Sequence, residues 1–372
     1  MPRSTLLWAS LLLPWIHAMP TKLLWFGDSL SDNGKPDPLS LYNSEAIGNL
    51  PIPPSEAEGG PYSGGRFADG LVFPDYLCED HLQVEPADCH NFAIGGAVLT
   101  ADPDPASVRS TLKQQVDALY TFYPPGNNTP FALSDTLLIG VLMGSNDLLR
   151  ELGESIGGGE RGPAEVAASL TTELLAQVQR IEDWAEATAA ESFSIVVMTP
   201  PDPALAPRVR DLFLDSLPEL SATLLEAFTA QVDMSFQSVD SVQVVHMSKS
   251  IPIAHLECIV AADSAGPPCL ELGPVGEASM PGSGTATQIY ACLTELEDSD
   301  SADTSVCFEE CKDPSSVFWF DELHPTSIVH QGVAAQLWFL LGMTNEQPGM
   351  DCAMAELDEP VTGTRRVPPA NE

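Results

Sequence analysis

Leu24-Trp25-Phe26-Gly27-Asp28-Ser29-Leu30-Ser31-Asp32-Asn33-Gly34 joins an apolar run directly to a turn of small and polar residues. The run, 23–26, reads as a buried strand, and the turn puts the Ser29 hydroxyl at its carboxyl end, where ligands of parallel α/β sheets bind. Outward from this point come four more short, β-branched or Leu-rich runs: around 91–94, then 136–143, 193–199 and 242–247. Their near-continuous apolarity suits strands covered on both faces. Between them, 108–123, 164–190 and 217–239 carry apolar residues at the three- and four-residue spacing of helices. A last helix is expected after Pro325, running through Val329, Val333, Leu337 and Leu340 to a stop near Gly342. Strands alternating with helices predict a three-layer α/β/α architecture around a central parallel five-stranded sheet.

Three stretches break that rhythm. Residues 36–65, rich in Pro, Gly, Ser and Glu, are expected to form a long loop over the mouth of the sheet. Residues 255–314 hold five of the eight cysteines and the acidic run 295–303, and read as a disulfide-pinned insertion at about 256–314. The tail, 344–372, is expected to be irregular. Residues 1–18 read as a secretory signal peptide: Arg3 supplies a positive start, 6–16 is an apolar run too short to span a bilayer, and Ala18 is a small residue before cleavage. One domain, 19–343, then carries the function. No later run reaches about 18 unbroken apolar residues, so no membrane-spanning helix is expected.

The cysteines, Cys78, Cys89, Cys258, Cys269, Cys292, Cys307, Cys311 and Cys352, are even in number and fit an exported, oxidised, extracellular chain. Local pairing of Cys78 with Cys89 and of Cys258 with Cys269 would close short loops, leaving the other four to pair among themselves. Cys307-Phe308-Glu309-Glu310-Cys311 lacks the second ligand pair of a zinc site. Asn127-Asn128-Thr129 is a glycosylation sequon, with Pro130 directly after it. The balance of 15 Lys and Arg against 53 Asp and Glu gives a net charge of −38, which excludes phosphate backbones as partners and disfavours anionic membrane surfaces. With 44% apolar and 18% charged residues, the chain has the material for a large core.

A serine hydroxyl is a poor nucleophile until a base takes its proton, and the base needs an orienting acid. Asp321-Glu322-Leu323-His324-Pro325 provides both at a three-residue spacing, ahead of the proline-started helix. A developing oxyanion needs preorganised donors. Gly144-Ser145-Asn146-Asp147 follows the 136–143 strand and can aim the Asn146 amide at the same sheet edge, and Gly95-Gly96 lets backbone N–H groups approach a ligand closely.

Phe26-Gly27-Asp28-Ser29-Leu30-Ser31-Asp32, Asn91-Phe92-Ala93-Ile94-Gly95-Gly96-Ala97, Gly144-Ser145-Asn146-Asp147 and Asp321-Glu322-Leu323-His324-Pro325 together resemble the four sequence blocks of the GDSL esterase/lipase family, the SGNH hydrolases. Gly65-Arg66-Phe67-Ala68-Asp69-Gly70 with Asp75-Tyr76-Leu77 resembles the segment that the phospholipase/lecithinase/hemolysin and plant-type branch carries between the first two blocks. The resemblance spans roughly 22–342. It implies a flavodoxin-like sheet and hydrolysis of carboxylic esters through an acyl-serine. It assigns Ser29 as nucleophile and first oxyanion donor, Gly96 (with Gly95 as the neighbouring choice) and Asn146 as further donors, His324 as base and then acid, and Asp321 as orienter. Such chemistry needs neither a metal nor an organic cofactor.

Gly153-Glu154-Ser155-Ile156-Gly157 matches the Gly-x-Ser-x-Gly elbow of α/β-hydrolases, but no strand leads directly into it and Gly158-Gly159 follow, so a flexible loop is expected there. His81, His90, His246, His255 and His330 show no metal spacing and read as structural. The chain therefore reads as a secreted serine esterase or lipase. The alternatives are an acetylesterase for acetylated polysaccharides and a catalytically silent secreted binding protein on the same scaffold. The segment 270–303 is expected to influence ester preference more than turnover.

Overall fold

The computed structural model describes residues 19–34, 60–101, 110–126, 131–132, 134–159, 161–188, 192–210, 217–251, 253, 256–257, 264–265, 268–272, 288, 304, 307–345 and 347–348. Five strands, β1 (Lys22–Gly27), β2 (Cys89–Asn91), β3 (Thr136–Leu142), β4 (Ser192–Thr199) and β5 (Val242–His246), form one parallel sheet in the order β2-β1-β3-β4-β5. Gly27 pairs with Leu142, Leu142 with Met198 and Met198 with Val245, so β1, β3, β4 and β5 finish at one edge.

Strand parity assigns each side chain to a layer. Leu24 and Phe26 of β1, Ile139 and Val141 of β3, and Ile195 and Val197 of β4 face one core, which is covered by α2 (Leu112–Phe122), α3 (Ser145–Ile156), α4 (Pro163–Thr188) and α5 (Leu217–Phe236). Leu23 and Trp25, Leu138 and Leu142, and Val196 and Met198 face the other, covered by α1 (Phe73–Tyr76), the π-helical turn Leu77–Leu82 and α6 (Ser327–Leu340). Every residue of β3 is buried, as the unbroken apolar run requires. The expected α/β/α architecture is thus the observed one.

The structure corrects three readings. The second strand ends at Asn91, where the 91–94 expectation began. Phe92, Ala93 and Ile94 are apolar because they are buried beneath the sheet edge, with Phe92 N–H donating to Trp25 O (2.7 Å) and Ile94 N–H to Gly27 O (3.1 Å). Residues 153–156 are the last turn of α3, capped by Gly157, not a loop: Leu148 and Leu152 bury one face of that helix, and the glycines mask its period. Cys269 pairs with Cys311 rather than Cys258, at a Cα–Cα distance of 4.9 Å. The cause is a small antiparallel pair, β6 (Leu270–Leu272) with β7 (Phe308–Glu310), whose register of Leu270 opposite Glu310 brings the flanking cysteines face to face.

Cys78–Cys89 pair as expected, and Cys307 is also disulfide-bonded. Cys258, Cys292, Cys352, the sequon, the leader and the acidic run lie outside the described residues. Among the described residues no helix is long and apolar enough to cross a membrane.

Candidate active site

Three segments far apart in the chain meet at the carboxyl edge of the sheet. β1 ends at Gly27, where a Cβ would stand 2.0 Å from Ser31 Oγ and 3.0 Å from Leu142 O, so a larger residue would displace the Ser31 side chain and crowd the neighbouring strand. Ser31 N–H and Asp32 N–H both donate to Asp28 O at 3.0 Å, fixing a tight turn with Ser29 inside it. Gln115 on α2 grips the same backbone: it accepts from Gly27 N–H (3.0 Å) and donates to Gly27 O (2.7 Å).

His324 Nε2 lies 2.8 Å from Ser29 Oγ, across 295 residues of sequence. Its Nδ1 lies 2.9 Å from both carboxylate oxygens of Asp321. Asp321 Oδ1 also accepts the N–H groups of Leu323 and His324 at 2.8 Å, and Tyr62 O–H donates to Oδ2 at 2.8 Å. Burial opposes charge on Asp321, but the positive potential of His324 and these donors hold its carboxyl below the usual carboxylate range, so it stays ionised. Burial, together with Asp321 next to it, pushes the Tyr62 hydroxyl well above its ordinary value, so Tyr62 remains a donor. The Phe67 ring lies 4.9 Å from the imidazole and limits its tilt.

The loops after β2 and β3 border the same edge. Gly95 is buried and its N–H donates to Asp32 Oδ2 (2.8 Å). Burial pushes that carboxyl up to about 6, against the pull of the Gly34 and Gly95 N–H groups. Gly96 is half-buried at φ +74°, a left-handed backbone that favours glycine, and its N–H has no hydrogen-bond partner among the described residues. Asn146 sits in the first turn of α3, anchored through Nδ2 to Ala97 O (2.9 Å), with its second amide proton left over. Asp147 ties that turn back to the Gly96 loop by accepting from Leu99 N–H (2.7 Å) and Thr100 N–H (3.2 Å).

Ser29, Asn146 and His324 line a cavity of about 400 Å³. It runs between α5, α6 and the loops after β4 and β5, with Leu149, Leu205, Leu225, Ile251, Leu256 and Val329 among its walls. Glu226 and Lys249 on its wall are solvent-exposed. His330 also lines it; burial, then the charge of His324, pushes this imidazole down to about 3, so it is neutral.

Every residue that the sequence marks as a candidate (Ser29, Gly95, Gly96, Asn146, Asp321 and His324) lies at or beside this edge. Ser155 does not join them: it lies on α3, with Oγ donating to Glu151 O at 2.8 Å. His246, one of five histidines expected to be structural, lies 3.0 Å from Thr199 Oγ1 and 2.8 Å from Asp233 Oδ1. Tyr62 and Gln115 are site residues that the sequence does not single out, while Phe67 and Asp147 stand in its motif blocks without a role assigned to them.

Residues 23–337 match the model of the GDSL-like Lipase/Acylhydrolase family. The chain belongs to that family. As a GDSL-like lipase/acylhydrolase it is a hydrolase of carboxylic esters. Solved structures similar to this GDSL hydrolase include the inhibitor-bound aryl esterase of M. smegmatis, with 16% identity and a TM-score of 0.39 over 86% of this chain and 98% of that one. The carbohydrate acetylesterase Est24 from Sinorhizobium meliloti gives 14% and 0.39 over 86% and 99%. Phospholipase A1 from Streptomyces albidoflavus NA297 gives 13% and 0.32 over 63% and 83%. At these identities and scores the likeness carries nothing about substrate. No curated protein matches the chain.

Proposed function

We propose that this GDSL hydrolase is a secreted serine esterase or lipase that works through an acyl-enzyme on Ser29. The observation that carries the reading is the unbroken relay Ser29 Oγ, His324 Nε2, His324 Nδ1, Asp321, each step at 2.8 to 2.9 Å, opening into an apolar cavity. Ser29 Oγ attacks the ester carbonyl while His324 Nε2 takes its proton, and Asp321 holds the imidazole in the tautomer with hydrogen on Nδ1. The N–H groups of Ser29 and Gly96 and the free amide proton of Asn146 receive the oxyanion. Gly95 is the weaker choice, since its N–H is already given to Asp32. Collapse expels the alcohol, which takes the proton from His324. Water then repeats the cycle on the acyl-serine and releases the acid.

The cavity favours an acyl chain longer than acetyl. Its volume falls within the roughly 300 to 1,000 Å³ of ligand pockets, and an acetyl group would leave most of its apolar wall unpaired. Export is supported by the signal-like residues 1–18 and by disulfides at Cys78–Cys89, Cys269–Cys311 and Cys307, which persist in oxidising compartments.

The test is hydrolysis of chromogenic esters from acetyl to palmitoyl by the wild type and by Ser29→Ala. Activity that peaks beyond acetyl in the wild type and falls by about a thousandfold or more in the variant is the expected result. A peak at acetyl would make the protein an acetylesterase, and a wild type inactive on every ester would make it a binding protein.

A further inference from the structure

The backbone entering Asp321 is not held by its own turn alone. Cys269 N–H donates to Trp319 O at 2.9 Å and Leu270 N–H to Phe320 O at 2.7 Å, so β6 runs alongside the residues that lead to the acid. β6 is locked in turn to β7 by their pairing, by a 3.0 Å bond from Cys311 N–H to Cys269 O and by the Cys269–Cys311 disulfide. Tyr62 completes the unit from the opposite end of the chain. Its buried ring packs with Cys269, Leu270, Cys307 and Phe320, edge-on to Phe320 at 5.4 Å, and its hydroxyl reaches Asp321 Oδ2. The Leu323 and His324 N–H groups that hold Oδ1 belong to the turn itself and move with it. The Tyr62 hydroxyl and the β6 bonds tie the turn to the body of the protein on this side, as Arg208 does on the other through Glu322.

We propose that Tyr62 and the disulfide-locked β6–β7 pair form a positioning clamp for Asp321 and, through it, for His324; this rests on the reading of Ser29, His324 and Asp321 as the catalytic relay. A carboxylate that shifts by a fraction of an ångström no longer presents the imidazole to the nucleophile, and small misplacements lower the rate far more than they lower binding. Neither Tyr62, Cys269 nor Cys311 lines the cavity, so the clamp acts on turnover and leaves substrate binding alone. Its two parts converge on one carboxylate, and their losses therefore do not multiply.

The experiment measures kcat and KM on one soluble ester for the full chain carrying Tyr62→Phe, Cys269→Ala with Cys311→Ala, and all three changes together. Each of the first two should lower kcat by about tenfold with KM within about twofold of wild type, and the combination should be little worse than either alone. Cys78→Ala with Cys89→Ala is the control. That disulfide sits where β2 pairs with the start of β1, far from the relay, and its loss should lower the melting temperature without lowering kcat. Should the cysteine variant fail to fold, Tyr62→Phe, which keeps the ring, decides by itself. A Tyr62→Phe enzyme at full kcat, a loss confined to KM, fully multiplicative losses, or an equal kcat loss in the control would each overturn the clamp. Ser29→Ala, run alongside, separates the two levels: its survival overturns the catalytic reading, whereas a dead Ser29→Ala beside a full-rate Tyr62→Phe overturns the clamp alone.

Discussion

Asp28, the residue before Ser29, is fully buried, and burial pushes its carboxyl up to about 6 against the pull of Ser145, the Leu30 N–H and His324. A carboxyl raised in the folded state stabilises the protein at low pH and loses that contribution as pH rises from the unfolded value, 3.8, through about 6. Asp28→Asn keeps the acceptor for Leu30 N–H and removes the ionisation. Thermal melts should therefore show the variant gaining about 2 kcal/mol on wild type between pH 4.5 and pH 7.5; a gap that does not change with pH would refute the assignment. Ser155→Ala removes only a hydroxyl bonded to its own helix and should leave esterase activity within about twofold of wild type. At this scale Ser29, Asn146, Asp321 and His324 were legible in the sequence because each stands directly after a strand or before a helix start. Tyr62 and Gln115 were not. Tyr62 finds its carboxylate 259 residues away and Gln115 its glycine 88 residues away, and a side chain whose partner lies at such a distance leaves no local period to read.

Among elements, β1, β3, β4 and β5 lie within one residue of their expected bounds, since a strand buried on both faces writes an unbroken apolar run. β2 was misplaced because burial continues past its last paired residue, and α3 was missed because Gly153 and Gly157-Gly158-Gly159 obscure the spacing of Leu148 and Leu152. The expectation for 270–303 also changes: Leu270–Leu272 is β6 and bonds to the backbone before Asp321, so a trimming that tests ester preference has to begin after it. The cavity gives a sharper probe. Ala222 on α5 is half-buried on its wall, and Ala222→Phe should fill part of it. Hydrolysis of a decanoyl ester should fall by about tenfold or more in kcat/KM while an acetyl ester changes by less than about twofold. Equal losses on both would place the acyl chain elsewhere.

For the whole molecule, the net charge of −38 acts at a distance that salt controls. Self-repulsion opposes the compact state, and the screening length falls from about 30 Å at 0.01 M ionic strength to about 8 Å at 0.15 M. The melting temperature at neutral pH should rise across that range, and an invariant one would mean that the acidic residues are compensated locally. The same field should make ester hydrolysis in anionic vesicles faster as salt is added, whereas neutral micelles should show little change. The 295 residues that separate Ser29 from His324 carry a consequence in time. A chain synthesised only as far as residue 320 already holds every strand of the five-stranded sheet together with Ser29, Gly96 and Asn146, yet lacks Asp321 and His324. At about 5 to 20 residues per second, roughly 15 to 60 s pass between the appearance of Ser29 and that of His324. On the proposed roles of these residues the nascent hydrolase is inert for that interval, and its competence arrives with α6, which follows His324 directly.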